Sequence, residues 1–171
     1  VVFGKSSGFS SSLDLSSLDG SNGFRLDGVD ANDYSGRSVS SAGDVNGDGY
    51  DDVIIGAYAA DPDGKFSAGE SYMVFGKASG FSSSLDLSSL NGNNGFRLDG
   101  VGVSLYGSKS DSWDYDDQSG SSVSSAGDVN GDGYGDIIIG AVGTDQDGKT
   151  DSGASYVVFG KASGWSSSLN L

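Results

Sequence analysis

A tetrapeptide that returns at long, unequal intervals constrains this chain more than anything else in it. Val2-Phe3-Gly4-Lys5 recurs as Val74-Phe75-Gly76-Lys77 and as Val158-Phe159-Gly160-Lys161, at spacings of 72 and 84 residues. Similarity at so long a period means that one supersecondary unit is stacked on copies of itself, each too small to bury its apolar face alone. The difference between the spacings has one location. Gly28 to Gly36 corresponds to Gly100 to Gly120, which holds twelve extra residues around 102–118. Beyond it the offset stays at 84, so Ser38-Val39-Ser40-Ser41-Ala42-Gly43 matches Ser122-Val123-Ser124-Ser125-Ala126-Gly127. An insertion that leaves both flanks in register is a surface loop.

Each period carries four strand-like segments: a Ser-Val-Ser-Ser-Ala run, a Val-Ile-Ile-Gly-Ala run, a Tyr-Val-Phe-Gly run, and Gly-Phe-Arg-Leu-Asp-Gly. Thirty glycines, one proline and long Ser, Gly, Asp and Asn connections suit short strands and tight turns rather than helices. The expected class is therefore all-β, and four antiparallel strands per period make one propeller blade. Residues 1–36 read as strands three and four of one blade and 37–100 as a complete blade. Residues 101–171 read as the insertion loop and a second blade without its last strand. Propellers close with about four to eight blades, so two repeats form an incomplete propeller or an open array. Its faces call for further repeats of the same chain or for other copies. The chain begins without Met inside a strand-like run, so it reads as a piece of something longer.

Between the first two strands of each period lies an acidic loop. Asp44-Val45-Asn46-Gly47-Asp48-Gly49-Tyr50-Asp51-Asp52 returns as Asp128-Val129-Asn130-Gly131-Asp132-Gly133-Tyr134-Gly135-Asp136. Oxygen-bearing side chains stand at loop positions 1, 3, 5 and 9, with glycine at position 6 for a sharp turn. Calcium is a hard cation that takes about six to eight oxygens, so three carboxylates, an amide and the position-7 carbonyl suit it. The expected ligands are Asp44, Asn46, Asp48, Asp52 and the Tyr50 carbonyl in one site, and Asp128, Asn130, Asp132, Asp136 and the Tyr134 carbonyl in the other. An EF-hand would need Glu at position 12 and a following helix, but Ile55 and Ile139 stand there and β-branched runs follow. The competing reading is a solvated turn of Asn, Asp and Gly. Two copies with one ligand spacing favour the cage.

With an aspartate loop lying between Phe-Gly and Gly-Ala motifs, the chain resembles the FG-GAP repeats of integrin α-subunit β-propellers and their bacterial relatives. Phe3-Gly4, Phe75-Gly76 and Phe159-Gly160 match the first half of the name. Gly56-Ala57 and Gly140-Ala141 match the second, with Tyr58 and Val142 in place of proline. The resemblance implies calcium on the lower face of the propeller, held by the residues already named. Integrin heads carry about seven blades, more than this chain supplies.

The formal charge of −15 argues against nucleic acid and anionic membranes, because phosphate binding needs clustered Lys and Arg and the chain has nine in all. Like charges in the loops repel unless a divalent ion neutralises them, so folding is expected to depend on calcium. Loops with few carboxylates bind it at about 10⁻⁴ to 10⁻³ M, a level that points to an extracellular or cell-surface location. No apolar run approaches the roughly 20 residues of a membrane span. With no His and no Cys, the serines lack a usual activating base, so the chain reads as non-catalytic. The acidic pairs Asp51/Asp52 and Asp116/Asp117 read as ligands and loop charges rather than glycosidase carboxylates.

Phe9, Phe81 and Trp165 recur at one place in Ser-rich connections and read as plugs between blades. Tyr106, Trp113 and Tyr115 in the insertion are candidate partner contacts. Asp61-Pro62-Asp63-Gly64-Lys65 and Asp145-Gln146-Asp147-Gly148-Lys149 read as hairpin turns before any auxiliary cation site. Two functions fit. One is an extracellular adhesion or recognition module that contacts a protein or glycan. The other is a subunit of an extracellular fibre or surface layer built by head-to-tail stacking, since Gly160 to Leu171 closely repeats Gly4 to Leu15.

Overall fold

The computed structural model describes residues 1–78, 80–102 and 117–171. Tyr106, Trp113, Tyr115 and Asp116 lie outside them. Among the described residues ten strands form three sheets: β1 (Arg25–Asp27), β2 (Ser38–Gly43), β3 (Asp52–Ala57), β4 (Glu70–Val74), β5 (Ser84–Asp86), β6 (Gly95–Asp99), β7 (Ser119–Gly127), β8 (Asp136–Ala141), β9 (Ala154–Val158) and β10 (Ser168–Asn170). Among the described residues helical structure is limited to short 3-10 turns, such as Leu15–Ser17 and Leu87–Ser89. No helix among them is long and apolar enough to cross a membrane.

The central sheet runs β10-β6-β4-β3-β2, and the other two are β7-β8-β9 and the pair β1-β5. Strands β2, β3, β4 and β6 pair antiparallel in chain order, as four β-forming segments joined by turns should. The same first three strands recur as β7, β8 and β9 with closely matching register, Val39 facing Ile55 as Val123 faces Ile139.

The Ser-rich connections depart from the sequence expectation. The connections around Phe81 and Trp165 each contribute a strand of their own, where four strands per period had been expected. β5 pairs in parallel with β1, and β10 in parallel with β6. Each connection thus leaves its own unit and joins the outer strand of the preceding one. The Asp61–Lys65 segment also differs from a two-residue hairpin, because Pro62–Gly64 forms a 3-10 turn there.

The continuous Val-Ile-Ile run is explained by burial on both faces. Ile54, Met73, Phe96 and Leu98 pack with Ile137 and Ile139 of the next sheet. Ile55, Tyr72 and Val74 turn the opposite way and pack with Leu87 and Leu90, flanked by Leu26 and Leu85. Alternate side chains of a strand point to opposite faces, so a sheet sandwiched between two others needs apolar residues in both phases. Full burial of one such side chain contributes about 1.5–3 kcal/mol. Across the contact with β7, the Ser38 hydroxyl donates to the Gly120 carbonyl at 2.8 Å.

Candidate metal centre

Both acidic loops lie between antiparallel neighbours, Asp44 to Asp52 linking β2 with β3 and Asp128 to Asp136 linking β7 with β8. The loop backbone donates inward to its own acidic side chains. Asp44 Oδ1 accepts from the Asp48 N–H at 3.0 Å and Oδ2 from the Gly49 N–H at 2.9 Å. Asn46 Oδ1 accepts from Asp48 N–H at 3.0 Å, and Asp48 Oδ1 from Tyr50 N–H at 2.9 Å. The second loop repeats the scheme: Asp128 accepts from Asp132 and Gly133, Asn130 from Asp132, and Asp132 from Tyr134. Gly49 and Gly133 adopt φ of 89° and 92°, a left-handed turn that side chains resist. The turn carries the chain round so that positions 1, 3 and 5 share one loop.

Asp52 and Asp136 play a different part. Asp52 is 1% exposed; its Oδ2 accepts from Val45 N–H and its Oδ1 from Gly76 N–H, both at 2.8 Å. Asp136, fully buried, accepts from Val129 N–H at 2.8 Å and Gly160 N–H at 2.9 Å. Each carboxylate therefore joins the loop to the glycine of Phe-Gly, 24 residues away. Burial pushes the Asp52 carboxyl up to about 6, against the Gly76 and Val45 amides that lower it, and the nearby Asp48 and Asp44 charges add to the rise.

The loops also touch each other. Gly135 N–H donates to the Asp44 carbonyl at 2.8 Å and Lys161 N–H to the Val45 carbonyl at 3.0 Å. Val45 is fully buried in the core between the sheets. Two acidic loops thus share one end of the sheets, and their backbones are joined.

The donor set is oxygen only, carboxylate, amide and backbone carbonyl, which is the chemistry of a hard divalent ion rather than of zinc or copper. On that ground the residues of each loop fit calcium. Among the described residues, however, no group of three or more Asp, Glu, His or Cys side chains is gathered in a cage fit for a metal ion. Asp52 and Asp136 each accept two amide hydrogen bonds, contacts that sequence spacing does not reveal.

Carboxylates also recur away from these loops. Asp33 and its counterpart Asp117 are 8% and 3% exposed, and burial pushes both up. Their carbonyls accept from Ala59 N–H and Gly143 N–H. Asp61 Oδ1 accepts from Ser67 N–H at 2.7 Å and Asp145 Oδ1 from Asp151 N–H at 2.8 Å, so these acids close their own loops. On β4, buried Glu70 accepts from the Tyr72 hydroxyl and lies 3.6 Å from the Arg97 guanidinium, which also pairs with Asp99.

Comparison with known proteins places both loops within one repeat family. The model of the FG-GAP repeat family matches residues 35–73 and 119–158. The chain carries two FG-GAP repeats. The chain is similar to integrin α chains, being 31% identical over 145 residues to integrin alpha-PS2 of Drosophila melanogaster, which covers 82% of this chain and 9% of that protein. Integrin alpha pat-2 of Caenorhabditis elegans and of Caenorhabditis briggsae are each 35% identical over 136 residues, 77% of this chain and 10% of theirs. The chain thus spans about a tenth of the length of these relatives. In both FG-GAP repeats the matched segment contains the acidic loop and the two strands after it.

Proposed function

We propose that this chain is a calcium-binding, non-catalytic segment of an extracellular FG-GAP β-propeller that serves adhesion or recognition. What carries the reading is the recurrence of one oxygen set, with one hydrogen-bond scheme, in both repeats. Asp44, Asn46, Asp48, Asp52 and the Tyr50 carbonyl would hold one ion. Asp128, Asn130, Asp132, Asp136 and the Tyr134 carbonyl would hold the other. Bound calcium supplies the positive charge that lets clustered carboxylates stay ionised side by side. The chain's own part is to hold those oxygens on a turn whose ends are tied into two strands. In blade terms, residues 1–36 are the end of one blade, 37–100 a complete blade, and 101–171 the insertion with most of the next. The similarity to integrin α chains supports a protein or glycan ligand.

Calcium titration by calorimetry together with thermal unfolding tests the reading. Two ions per chain are expected, and EDTA is expected to lower the unfolding temperature. At 10 mM calcium and a dissociation constant of about 10⁻⁴ to 10⁻³ M, each site contributes about 1.4 to 2.7 kcal/mol. No heat of binding and an EDTA-insensitive transition would refute calcium in these loops.

A further inference from the structure

We propose that the two acidic loops bind calcium cooperatively, through a hydrogen-bonded relay that joins the ninth-position carboxylate of one loop to that of the other. The inference rests on the calcium reading above and concerns how each site acts on its neighbour. The relay begins at Asp52, whose Oδ2 accepts from the Val45 N–H at 2.8 Å. The carbonyl of the same Val45 accepts from the Lys161 N–H at 3.0 Å. One residue earlier, the Gly160 N–H donates to Asp136 Oδ1 at 2.9 Å. Two short backbone segments, Val45 and Gly160-Lys161, thus lead from one carboxylate to the other. Val45 and Gly160 are both buried, so water does not compete for these bonds. Glycine is required at 160, because a Cβ there would stand 2.8 Å from the Val45 carbonyl.

A second contact keeps the loops in step. The Gly135 N–H, between the position-7 and position-9 residues of the second loop, donates at 2.8 Å to the carbonyl of Asp44, position 1 of the first. The Tyr134 ring covers Gly47, where a Cβ would collide with it. Gly135 is also where the two loops differ in sequence, since Asp51 holds that place in the first. A Cβ at 135 would lie 3.2 Å from both the Ala42 carbonyl and the Asp44 nitrogen. The second loop is therefore cut back at the point where it meets its neighbour. An ion that draws Asp44, Asp48 and Asp52 together fixes Val45, and through Lys161 and Gly160 it steadies Asp136. The second ion then meets a loop already partly ordered, which is positive coupling, and linkage makes it equal in both directions. Repulsion between the ions acts the other way but fades as salt screens it.

Calorimetric calcium titrations of the unmodified chain, Asp44→Ala and Asp128→Ala test the proposal. They are run in about 1 M potassium chloride, where a screening length of about 3 Å suppresses both the ion repulsion and the effect of the deleted charge. The product of the two dissociation constants of the unmodified chain should be at least about fivefold smaller than the product of those of the two single-site variants. Equal products would overturn cooperativity while leaving calcium binding intact; no binding heat in any chain would overturn the calcium reading and this proposal together. In a Lys161→Pro background, which deletes the relay amide and no ligand, the ratio of products should fall toward one. Lys161→Ala, which keeps the amide, should preserve it. An unchanged ratio with proline would overturn the relay. Hydrogen exchange decides the matter in the native backbone, whether or not the proline variant folds. In Asp128→Ala, calcium at the first loop should slow exchange of the Gly160 and Lys161 amides at least about fivefold, and exchange there that ignores calcium would overturn the proposal.

Discussion

The Gly76 amide donates to Asp52 Oδ1 at 2.8 Å and so fastens the end of β4 to the start of β3. The other oxygen of the same carboxylate takes the Val45 amide. One buried acid therefore closes the acidic loop and holds the Phe-Gly corner in place. Asp136 does the same for Val129 and Gly160.

Asp52→Ala is expected to destabilise the chain by about 2–5 kcal/mol in urea unfolding with calcium removed, because two amides lose their acceptor in a dry environment. Asp44→Ala under the same conditions should cost less, since its partners Asp48 and Gly49 lie in an exposed loop. Equal losses would contradict the division of roles between positions 1 and 9.

In calcium, the loop variants are read by the number of ions bound. Asp44→Ala and Asp128→Ala should each reduce the bound ions from two to one by calorimetry and remove about half of the calcium-dependent rise in unfolding temperature. A variant that kept both ions would show that the mutated carboxylate is not a ligand.

Phe96→Ala is expected to cost about 3–5 kcal/mol, the usual range for a large aromatic taken out of a core. Phe96 is fully buried and carries Trp165 on one face. Its loss should also increase hydrogen exchange at the Arg97 amide, which donates to Ser167. Unchanged exchange there would mean that the ladder holds β10 without the stack.

Glu70 supplies a pH dependence. Burial is the main cause that raises its carboxyl above 4.5; the Tyr72 hydroxyl and the Arg97 charge oppose the rise, and Asp99 and Asp33 add to it. A folded-state value above the unfolded one means that the native chain binds the extra proton. This group's contribution is then complete below 4.5 and is lost as pH climbs through the raised value. Replacing it by Gln should flatten that part of the stability profile between pH 4.5 and neutrality, as read from urea midpoints. A profile identical to the unmodified chain would place the titration elsewhere.

The strands β2, β3, β4 and β6 were legible because β-branched runs, glycine boundaries and a loop of fixed spacing all indicate strands, and the repeat let one copy check another. The parallel strands were not. Ser84-Leu85-Asp86 and Ser168-Leu169-Asn170 are short and polar, and their partners lie far off in sequence, so nothing local marks them as strands. At the acidic loops the oxygen inventory could be read from spacing, but the use of Asp52 as an acceptor for Gly76 depends on a contact across 24 residues. Glu70 was missed for a similar reason: its burial follows from the sheet that covers β4, and Ala154 stands at the same place in the second repeat.

The parallel ladders bear on how such a chain would carry load. Tension drawn along β10 would slide it lengthwise against β6, so that the bonds from Arg97 to Ser167 and from Leu171 to Asp99 would be strained at once. Peeling would let them fail one after another, whereas shear requires simultaneous rupture together with separation of the Phe96 and Trp165 rings. Ladders loaded in this direction would therefore give way only when both bonds and the ring stack yield together.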